Sequence, residues 1–217
     1  VVSSRKAEAC EKVAAEIAAS TGVRTLALPL HVGQWDAIEP AVQTIVKELG
    51  GLDVVVNNAG IAPLAPSVLE QSEALYDKTM EVNLKGPFRL MAVAGDAMAR
   101  SGGGSIVNIS SIGAWRPSAD EATYSAAKAG LNALTQAFAQ AYAPSVRVNC
   151  VMPGAFATDM SDDWPEEFVA RVVDHLPAER LGRPEELAGL VVHLASDASS
   201  YTTGAIIPVD GGRTAVF

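Results

Sequence analysis

Apolar residues along the chain switch between two spacings, and the switches mark its elements. Short continuous runs rich in Val, Ile and Leu predict buried strands at residues 52–56, 105–110, 146–151 and 205–209. Residues 1–6 read as the end of a strand, and residues 24–30 as a further short one. Elsewhere apolar residues recur three and four apart. That spacing predicts helices at 7–20, 35–49, 70–100, 123–142, 162–176 and 184–195. Cys10, Val13 and Ile17 form one face of the first helix, and Leu131, Leu134, Phe138 and Ala141 line one side of the helix at 123–142. Gly22 and Gly50-Gly51 stand where helix C-caps belong. Gly86-Pro87 predicts an irregular point in the long helix, and Pro208 marks the last strand as an edge.

Strands alternate with helices throughout. This predicts an α/β fold: one doubly wound parallel sheet, helices on both faces, within a single domain spanning residues 1–217. The 49% hydrophobic and 19% charged content excludes a disordered chain. No apolar run approaches the roughly 20 residues that span a bilayer. With no signal or lipidation motif, the expectation is a cytoplasmic protein without a membrane partner. A net charge of −9 argues against nucleic acid, and an anionic cofactor would need its own local cation. Cys10 and Cys150 lie in separate apolar patterns, which predicts buried free thiols. His31, His175 and His193 lack ligand spacing, so no metal is expected.

Three turns follow strands directly: Asn57-Asn58-Ala59-Gly60, Ser111 and Pro153-Gly154. In an open parallel sheet they share the carboxyl edge, where ligands bind. Tyr124 and Lys128 are four apart, hence on one helical face. Alone, that pair fits an ordinary surface helix, and each turn fits ordinary loop chemistry. Together they read as a site. A phenol that exchanges a proton, an ammonium that favours the phenolate and a hydroxyl that holds an oxygen suit acid–base work on a carbonyl or alcohol.

These pieces occur in a recognisable order. Asn57-Asn58-Ala59-Gly60, Asn83 in Val-Asn-Leu, Ser111, Tyr124-Ser-Ala-Ala-Lys128 and Val-Asn-Cys-Val-Met-Pro153-Gly154 are followed by Thr158-Asp-Met, Leu181-Gly-Arg-Pro-Glu-Glu186 and Val209-Asp-Gly-Gly212. The set resembles the short-chain dehydrogenase/reductase family over nearly the whole chain, with likeness to carbonyl and retinol reductases and to 3-oxoacyl reductases. The resemblance implies a Rossmann-like oxidoreductase that interconverts a carbonyl and a secondary alcohol by hydride transfer. Asn83, Ser111, Tyr124 and Lys128 would be its catalytic tetrad. Tyr124 would be the acid/base, Lys128 would bind the nicotinamide ribose and lower the Tyr124 pKa, and Asn83 would hold a water that links Lys128 to solvent. Asn57, Ala59 and Gly60 would meet the cofactor ribose; Pro153, Gly154, Phe156 and Thr158 would face the nicotinamide.

Arg5 stands where the adenosine ribose belongs and favours NADP, with NAD as second choice. His31-Val32 replaces the usual Asp-Val beside the adenine. The substrate would be a small apolar or aromatic ketone or alcohol, held by Ser111 and Tyr124 and walled by Trp115, Trp164 and Phe168 in the segment 160–176. The 3-oxoacyl reductase likeness also allows an acyl-carrier-protein partner, although that partner is acidic and basic residues are few near the expected entrance. The resemblance also implies a homotetramer or homodimer for a full-length enzyme.

No glycine-rich turn precedes Arg5. The expectation is therefore an N-terminally truncated domain without its first strand and helix. A slot would separate the first segment from strand 52–56, and the sheet would be weakened. The alternative is a non-catalytic member acting through protein association.

Overall fold

The computed structural model describes residues 1–158, 161–162 and 164–216. Four parallel strands form one sheet in the order β1 (Val54–Asn57), β2 (Gly104–Ile109), β3 (Val146–Pro153) and β4 (Ile206–Val209). The pairing aligns Asn57 with Asn108, Asn108 with Cys150, and Cys150 with Ile206. Pro208 lies on the outer strand, where a missing N–H breaks no ladder.

The helices are α1 (Ala7–Thr21), α2 (Trp35–Leu49), α3 (Glu73–Met80), α4 (Gly86–Arg100), α5 (Ala122–Tyr142), α6 (Glu166–Asp174) and α7 (Glu185–Ala195). Gly22 and Gly50 cap α1 and α2 in the left-handed conformation, at φ 71° and 87°. Successive strand residues turn to opposite faces of the sheet. Ile106 and Val148 pack with Met91, Met98 and Leu131 against α4 and α5. Val107 and Val151 pack on Leu194 of α7. Each face thus has its own core, as the doubly wound reading requires. Both cysteines are buried and free.

The long helix expected at 70–100 is interrupted one turn before Gly86-Pro87, by a π-helical turn over Glu81–Lys85. Gly86 N–H closes a five-residue loop on the Glu81 carbonyl. Pro87 has no N–H with which to make the α-helical bond to the Asn83 carbonyl, so the wider turn costs little here.

Several expectations need correction. The segments at 1–6 and 24–30 are reduced to a single parallel bridge, Val2 with Ala27. Supporting bonds run from Val2 N–H to Leu26 O, Leu28 N–H to Val2 O, and Leu30 N–H to Ser4 O. Among the described residues this pair is not joined to β1. In line with the expected slot, Val2 does not pair with Val55, and among the described residues no strand pairs with the outer edge of β1. The strand is also not fully buried: its residues alternate between faces, so Val54 and Val56 are 39% and 42% exposed, while Val55 and Asn57 face the core. On α1, Cys10 and Ala14 are buried and Val13 and Ile17 are exposed, because only one narrow stripe of this helix meets the rest of the chain. Ala141 likewise lies outside the buried stripe of α5.

Candidate active site

The turn after β1 is anchored before it reaches the surface. Asn57 is buried and donates from Nδ2 to Asn108 Oδ1 at 2.8 Å. Asn108 in turn donates to Thr135 Oγ1 on α5 at 2.9 Å. Beyond it Asn58, Ala59 and Gly60 are exposed at the sheet's carboxyl edge. Gly60 is required by close packing: a Cβ there would lie 3.0 Å from Asn83 Oδ1 and 3.5 Å from Lys128 Nζ.

Asn83 sits in the π-turn, fully buried. Its amide nitrogen donates to the Ile61 and Thr79 carbonyls, each at 2.9 Å, and its oxygen accepts from Ile61 N–H at 3.1 Å. The carboxamide is therefore spent on holding the segment that follows Gly60.

Ser111 ends the β2 run and caps a short 3₁₀ turn, Ile112–Ala114. Its Oγ accepts from Gly113 N–H at 3.1 Å, which leaves the hydroxyl proton free to donate elsewhere. A Cβ on Gly113 would stand 3.4 Å from Ser111 Oγ and 3.8 Å from Tyr124 Cε1, so the hydroxyl and the phenol ring flank one point. Sequence reasoning passed over Gly113. Its signal was a residue without a side chain between the two reactive groups.

Lys128 is buried, donates from Nζ to Ile109 O at 2.8 Å, and stands 5.7 Å from the Tyr124 ring centroid. Ser110 Oγ donates to the Lys128 carbonyl at 3.1 Å and fixes the height of α5 along β2. Burial pushes the Lys128 ammonium down to about 8. Tyr124 is shifted up, against the expectation that Lys128 would pull it down. Burial of the phenol dominates; the Ser111 hydroxyl draws the value back, and the Glu121 carboxylate raises it. Nearby Cys150 is pushed up to about 11, chiefly by burial, and stays a thiol.

On the other side of the edge, Gly154 N–H donates to Val209 O at 3.0 Å, and a Cβ on Gly154 would meet Asp210 Cα at 2.8 Å. Phe156 bridges to Gly182 and its ring covers that glycine. Thr158 N–H donates to Ser161 Oγ at 2.8 Å. Trp115 is half-exposed just after the 3₁₀ turn. Trp164 makes an edge contact with Phe168 at 5.1 Å, and the Arg171 guanidinium covers Phe168 at 5.6 Å. Among the described residues Trp115 and Trp164 make no aromatic contact with each other. Met160, at the start of the expected substrate wall, lies outside the described residues.

Arg5 and His31 leave adjacent chain segments at one level, since Leu30 N–H donates to Ser4 O. Arg5 is exposed and has no ion-pair partner among the described residues. His31 Nδ1 accepts from Gly33 N–H at 3.1 Å. In the neutral ring Nε2 therefore carries the proton.

A hydroxyl, a phenol and a lysine thus gather at the carboxyl edge of a doubly wound sheet, and comparison with known proteins places the chain among oxidoreductases. The family model described as enoyl-(acyl carrier protein) reductase matches residues 1–214. Human dehydrogenase/reductase SDR family member 4 is 37% identical over 98% of this chain and 77% of its own length. The structure of a short-chain type dehydrogenase/reductase from Mycobacterium marinum superposes with a TM-score of 0.92 at 34% identity, covering 99% of this chain and 85% of that one. A gluconate 5-dehydrogenase from Burkholderia cenocepacia J2315, solved with NADP and tartrate, gives 0.94 at 27% identity over 100% and 85%. The chain belongs to the short-chain dehydrogenase/reductase family.

Proposed function

We propose that this chain is an NADP-dependent oxidoreductase that interconverts a carbonyl and a secondary alcohol, with Tyr124 as acid and base. The observation that carries the reading is the convergence of the Ser111 hydroxyl, the Tyr124 phenol and the buried Lys128 ammonium beside the exposed Ala59-Gly60 backbone. When bound, the cofactor supplies the hydride. The residues fit its nicotinamide half: Gly60 packs without a side chain against Asn83 beside Lys128 Nζ, its exposed backbone stays open to a ligand, and Asn57 anchors the turn. Pro153, Gly154, Phe156 and Thr158 border the same edge. For the adenosine half, Arg5 is an exposed cation, without an ion-pair partner among the described residues, beside the His31-Val32 turn and suited to a ribose phosphate. The NADP bound by the Burkholderia relative supports the same choice.

In reduction the Ser111 O–H donates to the substrate oxygen, and the Tyr124 O–H delivers its proton to that oxygen. An upward-shifted phenol is fully protonated at neutral pH, the form that a proton donor needs. Lys128 offsets the negative charge left on Tyr124. The Asn83 side chain fixes the Ile61 segment, and its backbone carbonyl, which Pro87 cannot reach with an N–H, would hold the water that returns the proton. The substrate is a small apolar or aromatic ketone, with Trp115 and Trp164 as walls. The two free thiols suit a reducing compartment such as the cytoplasm.

The test is spectrophotometric. NADPH consumption with a panel of aliphatic and aryl ketones is expected to exceed NADH consumption. An excess with NADH would sink the role of Arg5. No turnover and no binding of either nucleotide would leave only the reading in which the chain acts through association.

We further propose that α3–α4 and α5 pair across a two-fold axis, giving a homodimer or homotetramer. An open apolar groove of about 530 Å³ supports this; Met80, Leu84, Phe88, Ala133 and Leu134 line it along those helices, and Trp35 at the start of α2 closes one side. Light scattering at micromolar concentration is expected to give a multiple of the 22.5 kDa chain. A monomer mass would contradict the pairing.

A further inference from the structure

The His31-Val32-Gly33 turn is clamped from two sides. Gly33 N–H donates to His31 Nδ1 at 3.1 Å, which ties the imidazole to the peptide between Val32 and Gly33. The carbonyl of that same peptide rests on Gly86, the first residue of α4 after the π-turn. A Cβ at Gly86 would lie 2.4 Å from Val32 O and 2.9 Å from Val32 C, and 3.2 Å from Glu81 O. All three neighbours are backbone atoms, so no side-chain movement could admit a methyl group. Any residue but glycine must push the His31-Val32-Gly33 turn off the helix or displace the π-turn.

Resting on the functional reading above, we propose that Gly86 is a positioning residue for the adenosine half of the cofactor. By carrying no side chain it seats the Val32 carbonyl against α4. It thereby sets the height of Val32 and of the His31 imidazole beside Arg5. The other end of the π-turn acts elsewhere, because Asn83 holds the Ile61 segment next to Lys128. One irregular turn thus separates two jobs, and a lesion at Gly86 falls on nucleotide binding rather than on proton transfer. Glycine at this position had a visible signal in the sequence, but the Gly-Pro pair reads there only as a helix irregularity.

The experiment compares Gly86→Ala with two other substitutions. Gly33→Ala is a milder lesion of the same turn, because its Cβ would meet the His31 ring at 3.0–3.2 Å and Glu81 Cβ at 3.4 Å. Gly189→Ala, on α7, has nothing within 4 Å and serves as the control. Affinity is measured for adenosine 2′,5′-bisphosphate, which lacks the nicotinamide, and for NADPH; kcat is measured at saturating NADPH.

Gly86→Ala is expected to weaken both ligands by roughly tenfold or more, with kcat within about threefold of the parent. Gly33→Ala is expected to shift the same way by less, and Gly189→Ala not at all. A folded Gly86→Ala protein with unchanged bisphosphate affinity would overturn the assignment. So would a loss of kcat with binding intact, which would place the lesion in the Asn83 half. If Gly86→Ala shows no cooperative melt, Gly33→Ala decides by the same criteria. A parent protein that binds neither the bisphosphate nor either dinucleotide would overturn the oxidoreductase reading and this inference with it. NADPH binding by the parent with no effect of either variant would overturn only the inference.

Discussion

Tyr124→Phe is expected to lower kcat for carbonyl reduction by roughly 10²–10⁴-fold, the usual contribution of a positioned acid. NADPH affinity should change by less than about threefold, or ~0.6 kcal/mol. Phenylalanine keeps the ring that flanks Gly113 and that Lys128 faces, so α5 has no reason to move. What disappears is the proton that, on the proposed reading, Tyr124 gives to the substrate oxygen. Ser111 can still donate a hydrogen bond, but an alcohol does not give up its proton at neutral pH, and Lys128 is occupied by the Ile109 carbonyl. Steady-state rates with a fluorescence titration of NADPH separate the two effects. A variant that keeps more than about a tenth of the parent rate removes Tyr124 from the role of acid.

Lys128→Met is the second substitution with a large expected effect, and it acts on stability as well as rate. Activity should fall by a similar factor, because the phenolate left on Tyr124 loses its nearest cation. For stability, the Lys128 pKa falls on folding from 10.5 to about 8, with burial as the main cause. Between those values the unfolded chain binds more protons than the folded one. Stability of the parent therefore rises with pH across that window and bears the full cost of the buried charge below pH 8. The size is about 3 kcal/mol, since each tenfold change in proton affinity is worth about 1.36 kcal/mol. Methionine keeps most of the volume and drops the titration. It also abandons the Ile109 carbonyl, at about 1–3 kcal/mol, at every pH. Urea melts of both proteins should show the difference moving towards the parent by up to about 3 kcal/mol between pH 8 and pH 10.5. A difference that stays flat with pH would mean that the lysine is solvated in the native state.

The sequence was most legible where local chemistry and tertiary packing agree. Helix 35–49 could be bounded to the residue because Gly50 ends it in a conformation that few other residues tolerate. Strand ends were legible to within one or two residues for a similar reason: Asn57, Ser111 and Pro153-Gly154 are turn formers beside apolar runs, although β1 runs on through Asn57 and β3 through Pro153. The candidate site was read from those ends plus the four-residue spacing of Tyr124 and Lys128. What stayed hidden depended on neighbours that spacing does not name. Three consecutive valines look equally apolar whatever lies over each face of the strand, and only the fold shows Val54 and Val56 half-exposed. Residues 24–30 have strand composition but find only one partner segment. The direction of the Tyr124 shift was also out of reach. It is a contest between burial and nearby polar and charged groups, and burial is a property of the packed molecule. The polar chain Asn57–Asn108–Thr135 lay scattered over three elements and gave no periodic signal.

The buried polar chain Asn57–Asn108–Thr135 bears on how the molecule comes apart. It ties β1 to β2 and β2 to α5 by side-chain bonds that the strand ladder does not supply. Loosening β1 therefore orphans the buried Asn108 oxygen, at a cost of about 1–3 kcal/mol. Opening at the Asn57 turn is thus coupled to the helix that carries Tyr124 and Lys128, and the three elements part together rather than one at a time.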